Sequence, residues 1–392
     1  MAGRGRGLIQ AFIVALLVAS SFQFAQPAQA RTITVCSVFC DFTTIADALK
    51  QASDGDSISI LPGAYAGGFT IEKNVDLRGA GRDTTTILGT SAASVVRIGT
   101  RANVLIRGVT ISGGGGSQTR SNGRGGGGIL NEGELTLTDS IVRDNAVANG
   151  LGGGIYSNAT KPLRIFDSVI AGNQADNGGG IYIREGDVFV TNTTVSSNQS
   201  GADGGGIRHE GGETVRIEKS VIRDNVAGRT GGGVFVRAAL QVLDSTVSGN
   251  RARFGGGLAG GSKTLNAINT EIRDNDVGDG LGGGILVGDG GVSLRDAKVT
   301  GNLSGSGAGI HSVAGDIRLT SSTVLDNAAE DDGGGIFNRS AKITLFSSEV
   351  VANRAGERGG GVFVGRGGSL KFGDSGNTIS GNQPDQCFGA TC

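Results

Sequence analysis

Ten times along this chain a run of three glycines is followed by an aliphatic residue, and that recurrence limits the fold more than any other feature. The aliphatic positions are Ile129, Ile155, Ile181, Ile207, Val234, Leu258, Ile285, Ile310, Ile336 and Val362, spaced 24 to 27 residues apart; in one copy Ala308 takes the middle glycine's place. Self-similarity at such a period marks a chain built from stacked units. Each unit also holds an alternating apolar pair, such as Leu135/Leu137, Leu163/Ile165 or Val188/Val190, at the period of a strand. A third element follows, an Ile or Val three residues before an Asn, as in Val142-Asn145, Ile170-Asn173 and Ile222-Asn225.

The internal distances separate rigid from tolerant segments. From the second residue of the pair to the Ile or Val of the third element is five residues in nine copies; only the last copy differs. By contrast, Asn to the next glycine-run aliphatic varies from 8 to 10 residues, and that aliphatic to the next pair from 6 to 8. One corner is therefore held fixed while two turns absorb length changes. Three short strands per 26 residues cannot form a helical repeat, and a propeller needs four strands in 40 or more residues. What remains is an all-β solenoid with three strands per coil and about 12 coils, each stabilised by its neighbours.

With 74 Gly, only 4 Pro and 37% hydrophobic residues, the chain has material for a core and no collagen triplet. The glycines suit backbone with positive φ and close approach of turn to turn. A phosphate cradle is the rival use, but no Lys-Ser/Thr and no helix follows any copy. Asn, which tolerates the left-handed region and bonds nearby backbone, suits the fixed corner and can stack coil upon coil.

The N-terminus reads as an export signal over residues 1–30: Arg4 and Arg6, an apolar run from Leu8 to Phe24, then Ala28-Gln29-Ala30 as a small-residue cleavage site leaving Arg31 first. Gln10, Ser20, Ser21 and Gln23 break that run as a membrane anchor, and no later segment is long and apolar enough to span a bilayer as a helix. Removing it leaves 33 basic against 36 acidic residues, a charge of −3 that points away from nucleic acid. The expected organisation is a cap and irregular first coils over 31–112, the ten-copy repeat over 113–383 and a C-terminal tail over 384–392. Residues 44–52 form an amphipathic capping helix, with Ile45, Ala48, Leu49 and Ala52 on one side; strands are expected near 57–61, 70–77, 84–88, 95–98 and 104–111. The four cysteines lie two at each end. A dozen coils at ~4.8 Å separate the ends by ~55 to 60 Å, which leaves Cys36–Cys40 and Cys387–Cys392 as the pairings within reach of a disulfide. Export permits them.

Phe42-Thr43-Thr44-Ile45, Leu61-Pro62-Gly63-Ala64-Tyr65 and Leu77-Arg78-Gly79-Ala80-Gly81 resemble the opening coils of the pectin-lyase-like superfamily. The ten later units resemble the repeats of bacterial polymorphic outer-membrane proteins and related right-handed β-helix proteins. The resemblance implies a right-handed parallel β-helix and says little about activity. No counterpart of the downstream Asp and Arg motifs of pectin methylesterases is present, neither His209 nor His311 sits in a Gly-His-Gly setting, and the segments of a C-terminal membrane barrel are missing.

Asp331-Asp332 is the best carboxylate pair for catalysis, although it lies in a turn whose length drifts and where solvated acids are expected. Asp144, Asp224, Asp274 and Asp326 form a column before the corner Asn that fits a Ca²⁺ ladder or a solvated edge; no other cofactor or metal is called for. The residues immediately after the glycine-run aliphatics, among them Tyr156, Tyr182, Arg208 and Phe235, should face outward by strand alternation. They would form a strip for a polysaccharide or a cell-surface protein, or pack under a neighbouring loop. The expected function is that of a secreted or cell-surface, non-catalytic protein with an extended binding face. A polysaccharide-active lyase, glycosidase or epimerase is the alternative.

Overall fold

A computed structural model describes residues 30–119, 123–212 and 214–392. The export signal expected over residues 1–30 lies outside them except for Ala30. The described chain winds as a parallel solenoid whose three long sheets contain 14, 13 and 13 strands. Sheet 1 runs from Thr32–Val35 to Ser369–Phe372, sheet 2 from Gly63–Ala66 to Thr378–Ser380 and sheet 3 from Phe69–Ile71 to Cys387–Phe388. That makes about 14 turns rather than 12. Two segments expected as single strands, 70–77 and 104–111, are each two strands on different sheets: Phe69–Ile71 and Val75–Gly79, then Asn103–Arg107 and Thr110–Ser112. Corners divide them, the second at Gly108 with φ +66°.

The repeat maps onto the coils residue by residue. The alternating pairs point inward from sheet 1, the Ile or Val before Asn from sheet 2, and the glycine-run aliphatics from sheet 3; Leu137, Val142 and Ile155 are fully buried in one continuous core. The fixed five-residue corner has a physical cause. In all nine of its copies the residue two beyond the pair is left-handed, from Asp139 (φ 43°) and Asp167 to Ser347. The next residue is Ser or Thr in eight of the nine, Ala297 being the exception. Its backbone N–H donates to the hydroxyl of the coil below, as from Thr193 to Ser220 (3.1 Å) and from Ser220 to Ser245 (3.0 Å).

The Asn ladder forms as the corner suggested. Asn198 Nδ2 donates to Asn225 Oδ1 at 3.0 Å and to the Ile170 carbonyl at 2.9 Å, while its backbone N–H also donates to Asn225 Oδ1 at 3.0 Å. The same bonds repeat from Asn145 to Asn382, where Gln386 Oε1 ends the column at 2.9 Å. The amides of the ladder are thus satisfied from coil to coil. In the glycine run, the first glycine is left-handed (Gly204, φ +65°), and a Cβ on the third would collide with the next coil, as on Gly206, only 2.6 Å from the Gly233 carbonyl oxygen.

A fourth set of short strands was not expected. Between the ladder Asn and the glycine run the chain forms an outlying arm, whose stacked copies pair in a six-stranded and a three-stranded sheet joined by the bridges Val226↔Arg251, Arg251↔Asp276 and Asp276↔Leu303. At the N-terminal end the helix Ile45–Gln51 covers the core, capped by Thr44, whose hydroxyl accepts from the Asp47 N–H at 3.1 Å. Cys36–Cys40 and Cys387–Cys392 are both joined, with Cα atoms 5.5 and 6.0 Å apart. No described helix is long and apolar enough to cross a membrane.

Candidate functional site: a sealed column and an open face

The column expected to face outward on sheet 3 does align in register: Leu130, Tyr156, Tyr182, Arg208 and Phe235 are successive partners. It continues through His311, Phe337 and Phe363 to Phe388. These side chains point away from the core, yet the arm folds over them. Tyr156 is 0% exposed and Tyr182 and Arg208 each 7%. The two tyrosine rings stack at 5.5 Å, with Leu151 of the arm packed on them. The strip is therefore covered rather than offered to a partner, and only Phe235 among the four is partly open. Alternation sets which side of the strand a residue takes, while the arm decides whether solvent reaches it.

Arg208 sits between the Tyr182 and Phe235 rings, 5.9 and 5.3 Å from their centroids. It reaches Asn177 Oδ1 at 2.8 Å and pairs with Asp203 and Glu210. Arg229 closes the group with a fork onto Asp203, its Nε 2.8 Å from Oδ1. Burial alone would raise the Asp203 carboxyl, but the hydrogen bonds and charges of Arg229 and Arg208 outweigh it and hold the group below the usual range. Burial and the Glu210 charge push the Tyr182 hydroxyl up. Every charge in this group has a partner, which makes it a structural knot.

Sheet 1 carries the opposite arrangement. Among the described residues its strands bear outward Arg78, Arg107, Arg164 and Arg216 in the N-terminal coils and Arg295, Arg318, Lys342 and Lys371 in the C-terminal coils, against the acids Asp76, Glu134 and Glu218; Asp316, just ahead of its strand, accepts from the Lys342 backbone N–H at 2.9 Å. The N-terminal cations are compensated: Arg107 lies 3.9 Å from Asp76, Arg164 3.0 Å from Glu134 and Arg216 2.9 Å from Glu218. The four C-terminal cations are exposed and make no ion pair among the described residues. Arg318 lies 4.1 Å over the Phe346 ring, and Phe372 beyond it is 45% exposed.

A model of the right-handed β-helix region matches residues 70–269, just over half of the chain. The chain belongs to the right-handed β-helix family. No curated protein sequence matches it. Among solved structures it is similar to the A-module of mannuronan C-5 epimerase AlgE6 from Azotobacter vinelandii, with 17% identity over 86% of this chain and 92% of that one and a TM-score of 0.43. It is also similar to the catalytic domain of a GH87 α-1,3-glucanase (12%, 90% and 70%, TM-score 0.41). A third likeness is to pectin methylesterase PemA from Erwinia chrysanthemi (15%, 67% and 81%, TM-score 0.33). At these identities the likeness is one of fold.

The remaining candidates take structural places in this β-helix. Asp332 is buried beneath Arg358, which forks onto it at 3.0 and 2.7 Å, while Asp331 is exposed, so the two do not present a shared carboxylate site. Asp144, Asp224, Asp274 and Asp326 occupy the left-handed position before the ladder Asn, and the first three pair with the preceding Arg. Among the described residues no three His, Cys, Asp or Glu side chains gather to hold a metal. His209 faces the core, fully buried, with Nε2 donating to the Gly186 carbonyl at 2.9 Å; burial pushes its pKa down. His311 heads a ring stack, 4.5 Å from Phe337. The open face of sheet 1 was not expected, although its signal lies in the sequence: Arg295, Arg318 and Lys371 stand at the positions that alternate with the apolar pairs.

Proposed function

We propose that this chain is an exported, non-catalytic β-helix whose C-terminal half of sheet 1 holds an anionic polysaccharide. The observation that carries this reading is the row of Arg295, Arg318, Lys342 and Lys371, unpaired beside Phe346 and Phe372. Cations without partners cost a protein little at the surface and attract polyanions strongly when several act together. Aromatic faces beside them give a sugar ring a surface on which to lie. The non-catalytic part is supported by how the acids are used: Asp332 and Asp203 are each committed to arginines. Export rests on Arg4, Arg6 and the apolar run with its Ala28-Gln29-Ala30 ending.

The test is retention on polygalacturonate beads against uncharged dextran beads, with the Arg318→Ala/Lys371→Ala double variant beside the parent. The parent should bind the anionic beads and release with salt, and the double variant should lose about 1 kcal/mol or more of affinity. Equal binding by the variant, or equal retention on dextran, overturns the site. The same incubations are assayed for new reducing ends and unsaturated uronates. Their appearance would replace the non-catalytic reading with that of a polysaccharide-active enzyme.

A further inference from the structure

The first coil contains a buried carboxylate aimed at a backbone nitrogen. Asp56 is 2% exposed, and its Oδ1 accepts from the backbone N–H of Arg31 at 2.9 Å. Its Oδ2 accepts from the Ser53 N–H at 2.8 Å and from Arg31 Nη2 at 2.9 Å. These hydrogen bonds, with Ser53 first and then Arg31, hold the Asp56 carboxyl down at about 2, so it is ionised at any ordinary pH. The Arg31 carbonyl accepts from the Ser57 N–H at 2.8 Å, and the edge strand of sheet 1 begins at Thr32. Arg31 is also the residue that the Ala28-Gln29-Ala30 pattern would leave first, with no linker between the cut and the fold.

We infer that cleavage between Ala30 and Arg31 creates an α-ammonium that Asp56 is placed to receive, so that maturation locks the N-terminal coil. Hydrolysis by an export-signal protease breaks the bond between the Ala30 carbonyl carbon and the Arg31 nitrogen: the hydroxyl of a water molecule goes to the carbonyl carbon and its hydrogen to the nitrogen. The new Ala30 carboxyl releases its proton to solvent and becomes a carboxylate, and the Arg31 amine takes up a proton from solvent and becomes an ammonium. A neutral amide donor then becomes a cationic one at the same position, and charge-assisted bonds of this kind are about twice as strong as neutral ones. Asp56 would thus bind both ends of one residue, the ammonium through Oδ1 and the guanidinium through Oδ2. Before cleavage only the guanidinium carries charge.

The inference rests on the export reading, and the two are tested by separate measurements. The full-length chain is exported from a bacterial host and its N-terminus sequenced, which reads the cut. Chains that begin at Arg31 or retain Ala30 are then compared by hydrogen–deuterium exchange over residues 31–60, which reads the ion pair. The Arg31 chain should exchange there about tenfold more slowly at neutral pH, the ratio that ~1.4 kcal/mol gives. That difference should shrink as pH rises past the titration of the amine and vanish between the corresponding Asp56→Asn chains. Equal exchange of the two Asp56 chains, or a difference that persists at high pH, overturns the ion pair even if Asp56→Asn fails to fold. A start other than Arg31 in the exported protein overturns the maturation step.

Discussion

Two rows of arginine and aromatic side chains run along this β-helix, one on sheet 3 and one on sheet 1, and both point away from the core. On sheet 3 the arm covers Tyr156, Tyr182 and Arg208, and the buried guanidinium is matched by Asp203, Glu210 and Asn177. On sheet 1 nothing in the described chain covers Arg295, Arg318 and Lys371, and no acid answers them. Similar residue types are structural in one row and available in the other. The difference lies in the turn that follows the ladder Asn: its excursion of a few residues returns over sheet 3 and never over sheet 1. Where the covering arm brings acids, as at Asp203 and Asp332, arginines pair with them coil to coil.

The strongest way to break this comparison is to empty the sealed row. Tyr156→Ala together with Tyr182→Ala removes two stacked, buried rings and opens a cavity beneath Leu151. Each truncation should cost about 3 to 5 kcal/mol, read as a fall in the urea midpoint and in native circular dichroism. A ligand-binding role would instead leave stability unchanged. Tyr156→Phe sharpens the point, because the Tyr156 hydroxyl is buried with no hydrogen-bond partner among the described residues. Its removal should be neutral or slightly stabilising.

A smaller effect belongs to His311, which is 4% exposed, stacked on Phe337, and donates from Nδ1 to the Ser306 carbonyl at 3.2 Å. Burial pushes its pKa down to about 4, with the nearby Arg339 charge acting the same way against the Ser306 bond. The folded protein therefore refuses a proton that the unfolded chain accepts near pH 6.5, and stability should fall as pH drops from that value towards 4. The full loss from this one residue is about 3 kcal/mol. His311→Phe should extend the ring stack, lie within about 1 kcal/mol of the parent near neutrality and lose part of the acid sensitivity. His209, shifted in the same direction, should keep the remainder. If urea midpoints of parent and variant fall in parallel between pH 7 and 4.5, His311 does not carry the effect.

The core and both ends were legible in the sequence for one reason: a solenoid repeats every constraint at a fixed period. Leu137, Val142 and Ile155 could be placed because strand alternation and the 26-residue spacing both point inward at them, and Asn145 through Asn382 because one residue type recurred at one corner. The Ser/Thr ladder beside them, from Ser140 to Ser348, was equally periodic and went unread, since small hydroxyl residues are common in any corner. The arm escaped for a different reason. Strands such as Gln199–Ser200 and Val226–Ala227 are two residues long, too short for any period, and they exist only because the coil below is already in step. Hence the direction in which Tyr156 points followed from its position, whereas its burial depended on a neighbour that no local pattern announces.

The smallest expected effect on stability is also the one that separates the two halves of sheet 1. Arg318→Ala gives up a single exposed cation–π contact, and Lys371→Ala gives up no pairing. The first should cost no more than about 1 kcal/mol and the second should stay within about 0.5 kcal/mol. In the compensated half, Arg164→Ala removes a half-exposed pair with Glu134, which is again worth about 0 to 1 kcal/mol. By stability the three variants are thus nearly alike. By binding they should divide, because Arg164 already spends its charge on Glu134 while Arg318 and Lys371 do not. On polygalacturonate beads, Arg318→Ala and Lys371→Ala should each elute at lower salt than the parent, and Arg164→Ala at the same salt. If Arg164→Ala elutes as early as the other two, the polymer lies along the whole sheet and compensation by acids does not select the site. If none of the three shifts, the open row is only a solvated face.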